Sequence, residues 1–179
     1  MEMKSKSRQK KAKIYRLTQE ESAAYHEAGH TVVSVFLYLK FRKVTIVPEG
    51  DSFGCQSDRK YTNQFWDAME GELSPYMLDR LGKIITVFFA GGIAQKIAIG
   101  RSNNVGSRSD WEKATDLASR IYELSSPKLR LYLKLKRMEA EDIVRLRWKE
   151  IQIVKDALLC RKTMTSREVR AVLFPELVK

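Results

Sequence analysis

The chain predicts a mainly α-helical fold with one small β-hairpin, on three observations. Thr18 with Glu21, Ser109 with Glu112 and Thr165 with Glu168 each form the S/T-x-x-E signal of a helix start, ahead of segments with helical apolar spacing. Ser74 followed by Pro75 marks a further helix start, with a serine cap and a proline at the first helical position. Only FRKVTIVPEGDSFGCQ joins a β-branched run to a cluster of turn residues, the pattern of two short strands. At 179 residues the chain fits one domain, assigned to residues 17–179, behind a basic tail over residues 1–16.

The elements follow in order. A first helix is expected from Thr18 to about Leu39, and 3.6 residues per turn puts His26 and His30 on one face, continued by Val33 and Leu37. A hairpin pairs Val44–Val47, across a turn at Pro48 to Asp51, with an extended piece at Phe53 to Gln56. Residues 57–73 lack a period and read as loop with a short helix near Trp66. From Pro75 an apolar helix runs through Leu81, Ile84 and Phe88. It either continues past Gly91 and Gly92 to Ile97, with the glycines allowing close backbone packing, or breaks at the pair. The Ser109 cap starts a helix to about Leu124 with Asp110 in its first turn. A long basic helix or helix pair covers Pro127 to Leu159, and Thr165 caps a closing helix, Ser166 to Leu173.

Charge and apolar runs narrow the function classes. The formal net charge is +11 and the pI about 9.7. Much of the excess sits in MEMKSKSRQKKAKIYR, where Lys4, Lys6, Arg8, Lys10, Lys11, Lys13 and Arg16 face Glu2 alone. Such a tail is either a solubilising, unstructured extension or a contact for nucleic acid, an acidic protein or anionic lipid. No apolar core follows these charges as a signal peptide requires, so a cytoplasmic location is expected. Ile84 to Ala94 is about half the roughly 20 residues of a bilayer-spanning helix, which predicts a buried core helix and no transmembrane segment. Cys55 and Cys160 lack a Cys-x-x-Cys partner and are expected to be reduced and structural.

The chemistry concentrates in AYHEAGHTVV, residues 24–33, which holds both histidines of the chain. Random placement would bring two histidines to this spacing, with this glutamate, roughly once in a thousand chains of this length. On a helix, His26 and His30 lie one turn apart and can reach one zinc ion at about 2.0–2.1 Å, with Glu27 directed at the fourth position. Gly29, between the two histidines, gives up helix stability and lets another segment pack close. With no third histidine the remaining ligand must be acidic or sulfur, which excludes the metzincin pattern. Cys55, Cys160, Asp79, Asp110 and Glu112 all stay open on composition, Asp110 standing out because it follows the polar segment RSNNVGSRS and opens an apolar helix.

The segments AYHEAGHTVV, KVTIVPEGDSFG, LDRLGKIITVFFAGGIAQKI and NNVGSRSDWEKATDLASRI, in that order, resemble the peptidase domain of the FtsH-type ATP-dependent zinc metalloproteases. EIQIVKDALLCRKTMTSREVRAVL is similar to that family's closing helices, so the likeness extends with gaps over about residues 17–173. The resemblance implies a helical zinc-metalloprotease domain holding one Zn2+ through His26, His30 and Asp110, with Glu27 as the catalytic base. It also places a substrate-binding edge strand on Lys43, Val44, Thr45, Ile46 and Val47, where an extended polypeptide would add by β-augmentation. No Gly-x-x-x-x-Gly-Lys-Ser/Thr loop occurs. The expectation is therefore a standalone, ATP-independent endopeptidase for unfolded or flexible polypeptides, with a separate ATPase or adaptor and a homo-oligomer as the partners the resemblance implies. Two other readings compete: an idle interaction or nucleic-acid-binding module with a basic surface, and a narrow regulatory protease.

Overall fold

The computed structural model describes residues 17–48, 73–100 and 104–178. In chain order the described elements are α1 (Gln19–Phe36), β1 (Lys43–Thr45), α2 (Pro75–Ile99), α3 (Asn104–Ser119), α4 (Pro127–Leu146), α5 (Trp148–Arg161), β2 (Thr163–Thr165), α6 (Ser166–Leu173) and a closing 3-10 turn (Pro175–Val178). The fold is mainly helical with a two-stranded antiparallel sheet, as expected. The basic tail, the second hairpin arm at Phe53 to Gln56, the loop with a helix near Trp66, and Cys55 all lie outside the described residues.

Local sequence chemistry accounts for most helix ends. Thr18 Oγ1 accepts from the Glu21 amide at 3.1 Å while Glu21 Oε2 accepts from the Thr18 amide at 2.8 Å, so the capping box at the head of α1 is closed in both directions. The same reciprocal box, Thr165 with Glu168, opens α6 at Ser166. Ser74 Oγ accepts from the Met77 amide ahead of Pro75, and α2 ends on Gly100, whose φ of 77° is the left-handed conformation that glycine adopts at a helix C-terminus. The apolar helix therefore passes through Gly91 and Gly92 unbroken.

Two expected helix bounds are corrected. The helix carrying Asp110 starts at Asn104, not Ser109, and ends at Ser119; Asp110 lies in its second turn. Glu112 is held by Arg108 Nε at 3.1 Å. The segment before Ser109 is polar and glycine-bearing, so propensity could not reveal that it is helical; packing of this helix on α2, with Ser107 against Gly92, overrides it. The first helix stops at Phe36, and Tyr38 follows at a φ of 57°. In addition, β1 pairs with β2 near the far end of the chain, in the register Lys43–Thr165, Val44–Met164 and Thr45–Thr163, while the hairpin partner expected at Phe53 to Gln56 lies outside the described residues. Alternation along a strand reports which face is buried, here Val44 against the core, but not which distant segment supplies the partner. The basic stretch resolves as a helix pair, broken at Arg147 (φ −107°, ψ 26°).

Helix α1 is enclosed by α2 on one side and α5 on the other, and α2 also packs on α3 and α4. Ala24, Ala28, Val32, Val33, Ile84, Ile85, Val154 and Leu158 are sealed from solvent between these layers. By length and composition α2 could cross a membrane, contrary to the shorter apolar run expected; 61% of its most apolar window is buried inside the protein, as a core helix requires. Cys160 is exposed, so the structural role expected of it does not hold.

Glycines set the spacing between α1 and α2. A Cβ on Gly29 would stand 2.7 Å from Ala90 O and 2.8 Å from Ala94 Cβ, so the two backbones meet where only hydrogen fits. Gly91 lies under the His30 ring, and a Cβ there would strike its Nε2, Cε1 and Cδ2 atoms. The glycines thus allow the histidine-bearing turn of α1 to sit directly on α2.

Candidate metal centre

Two helices bring three polar groups of the core to one point. His26 and His30 project from α1 and Asp110 from α3, all less than a tenth exposed. His26 Nε2, His30 Nε2 and Asp110 Oδ2 form a triangle with all three sides 3.0 Å. Donors bonded at about 2.0 Å around a tetrahedral ion stand roughly 3.3 Å apart, so the triangle is within a few tenths of an ångström of a zinc-sized set. Among the described residues these are the histidine, cysteine and acidic side chains grouped so as to hold a metal.

The outer hydrogen bonds decide which atoms face the centre. His30 Nδ1 lies 2.7 Å from Val87 O, a carbonyl that only accepts, so Nδ1 carries a proton and Nε2 is the ring atom that faces inward. Gln95 Nε2 donates to Ser22 O at 3.1 Å and to Ser22 Oγ at 3.0 Å, which fixes its amide with Oε1 toward His26. His26 Nδ1–H donates to that oxygen at 3.3 Å, leaving the second Nε2 facing inward as well. With both rings neutral, two lone pairs and a carboxylate oxygen converge on one point, and a proton or a metal cation among the three relieves their repulsion; the donor set, two imidazole nitrogens and a carboxylate, fits zinc.

The flanking charges agree with this. Burial alone would raise the Asp110 carboxyl, but the charges and hydrogen bonds of His30 and His26 outweigh it and hold it well below the usual carboxylate range. Its other oxygen, Oδ1, lies 3.8 Å from Lys113 Nζ. Glu27, next to His26 and 4% exposed, makes no bond to the triangle; burial pushes its carboxyl up to about 7, against the lowering pull of His26 and Lys113. Among the described residues its Oε2 is buried with no hydrogen-bond partner, an unsatisfied acceptor of the kind that marks catalytic groups.

The sequence-predicted residues divide accordingly. His26, Glu27, His30 and Asp110 come together. Asp79 does not join them: it is exposed and bonded to Lys83 at 2.7 Å. Of the strand residues, Lys43 and Val47 are exposed and Val44, Thr45 and Ile46 buried, and their described hydrogen bonds run to β2 and to Lys162. Gln95 and Ser22 were not singled out from the sequence. The signal was present, since Gln95 is a polar side chain within the apolar helix one turn after Gly91. Replacing Gln95 with leucine is expected to lower zinc affinity by about 10–100-fold, because His26 loses the acceptor that sets its tautomer. Competition with a chromogenic chelator measures it, and unchanged affinity would remove Gln95 from the centre.

Comparison with known proteins finds the sequence pattern of Peptidase family M41 over residues 13–124, more than half of the chain. The "ATP-dependent zinc metalloprotease YME1 homolog" of Caenorhabditis elegans is 28% identical over 208 aligned residues, covering 92% of this chain and 27% of that protein. "ATP-dependent zinc metalloprotease FtsH" of Mycoplasma mobile is 34% identical over 63% of this chain and 15% of its own length. The FtsH of Bacillus subtilis is 28% identical over 63% of this chain and 16% of its own length. The chain thus spans about a quarter or less of the length of these relatives.

Proposed function

This chain belongs to peptidase family M41, and from that premise we propose that it is a zinc-dependent metalloendopeptidase whose ion is held by His26, His30 and Asp110. The observation that carries the reading is the convergence of three buried acceptor atoms at 3.0 Å, with both rings oriented by bonds on their far sides. When bound, zinc supplies Lewis-acid activation that makes hydroxide available from water near neutral pH. Glu27 takes the proton of the attacking water and returns it to the leaving amine. Its unpartnered Oε2 is the acceptor for that step, and its ionised form is favoured when positive charge occupies the three donors. Asp110 is kept anionic by the histidines around it and adds negative charge to the donor set.

The substrate is an extended, unfolded or flexible polypeptide. Lys43 to Val47 are its docking strand, where backbone amides and carbonyls would pair as in β-augmentation. The hydrolytic chemistry itself uses no nucleotide, and an ATPase or adaptor is the partner that would deliver folded substrates. Cleavage of casein by the purified chain tests the reading. Activity that is lost on chelation with 1,10-phenanthroline and restored by zinc is the expected result. A chain that binds no zinc and cleaves nothing, yet binds RNA or DNA in a salt-dependent way, would replace the peptidase with a basic binding module.

A further inference from the structure

Helix α4 presents two different faces. Leu129, Leu133, Ala140 and Val144 are buried and lock it against the core. On the opposite side Leu131, Leu135 and Met138, spaced i, i+4, i+7, are 68%, 50% and 55% exposed. Exposed cations flank them: Lys128 on one side, Arg130 and Lys134 on the other. Pro127 to Met138 contains no aspartate or glutamate, and none of these three cations makes an ion pair among the described residues. The second half of the helix differs, since there Arg145 is held by Glu141 at 2.6 Å.

We propose that this face of α4 docks on an anionic lipid surface, with Leu131, Leu135 and Met138 entering the headgroup boundary and Lys128, Arg130 and Lys134 engaging lipid phosphates and carboxylates. Three features select that occupant. The face is exposed along its length; at 100° per residue, Lys128 falls on one shoulder and Lys134 on the other, so charges flank the apolar tip as a planar interface demands. Phosphate groups and hydrocarbon lie within a few ångströms of each other in a bilayer, matching side chains that alternate between leucine and lysine. A nucleic-acid backbone has no use for three large aliphatic side chains between its phosphate contacts, and a second copy of this chain packed with the same face inward would bring like charges together.

Co-sedimentation of the full chain with phosphatidylcholine vesicles, with and without phosphatidylserine, tests the proposal. Binding should appear with phosphatidylserine and weaken with added salt. The triple variant Leu131→Ser, Leu135→Ser, Met138→Ser and the double variant Lys128→Glu, Lys134→Glu should each bind at least about ten-fold more weakly, basic residues near such a surface being worth about five-fold apiece. Every substituted side chain is exposed, and circular dichroism verifies that both variants fold. The tail at residues 1–16 is present in all of them, so its contribution is constant. Anionic binding that both variants retain would assign it to the tail and overturn the proposal, as would failure of the wild type to bind. Capture of a synthetic Glu/Leu amphipathic peptide by a chain that ignores the vesicles would reassign the face to an acidic helix.

Discussion

Replacing Glu27 with glutamine is expected to slow peptide hydrolysis by at least roughly a hundredfold while zinc content stays at the wild-type level. Glutamine keeps the size and the hydrogen-bonding outline of the side chain but cannot take a proton from water. Glu27 is not one of the three converging donors, so the metal should remain. The fold should also tolerate the change: burial already pushes this carboxyl up to about 7, and a neutral amide in the same cavity spares the cost of burying a charge. Initial rates on casein, read beside metal content by mass spectrometry, separate the two effects. Full activity in a zinc-loaded Glu27→Gln protein would remove Glu27 from the chemistry.

The second large effect is on the metal itself. Asp110→Ala should drop zinc from about one per chain to a small fraction, with hydrolysis falling in step. The variant leaves two neutral imidazoles without the anion that completes the set, and exposes the site to the positive charge of Lys113, which lies 3.8 Å from Asp110 Oδ1 in the wild type. Asp110→Asn, closer in shape, should lose most of the affinity as well, since an amide oxygen carries no full charge. Equal zinc in wild type and both variants would reject Asp110 as a ligand while leaving the histidine pair intact. The two experiments are independent: Glu27→Gln tests the proton transfer, and Asp110→Ala tests who holds the ion.

Much of the site could be read without a structure because its information is local. A spacing of four on a helix puts His26 and His30 on one face whatever else the chain does, and the Thr18–Glu21 box places that helix to within a few residues. Asp110 was different. Its proper neighbours are 80 or more positions away, and its helix starts earlier than any capping signal suggests, so local pattern made it stand out but left Asp79, Glu112 and the two cysteines open beside it. The resemblance to the FtsH-type peptidases singled it out, and folding brings it within 3.0 Å of both imidazoles. The sheet shows the same limit. The β-branched run around Val44 identifies a strand, yet its partner at Met164 lies beyond any local signal.

What the residues determined by themselves are the helices, the two ligands that share one of them, the need for a third that is not histidine, and the glycines where chains must meet closely. Those follow from bond geometry, capping chemistry and the size of a side chain, all of which act over a few positions. Only the tertiary structure decided that Gly91 makes room for the His30 ring, that Gln95 and the Val87 carbonyl choose the tautomers, and that Asp110 completes the triangle. These contacts join residues 57 to 80 positions apart, and such long-range contacts are set by how whole helices pack.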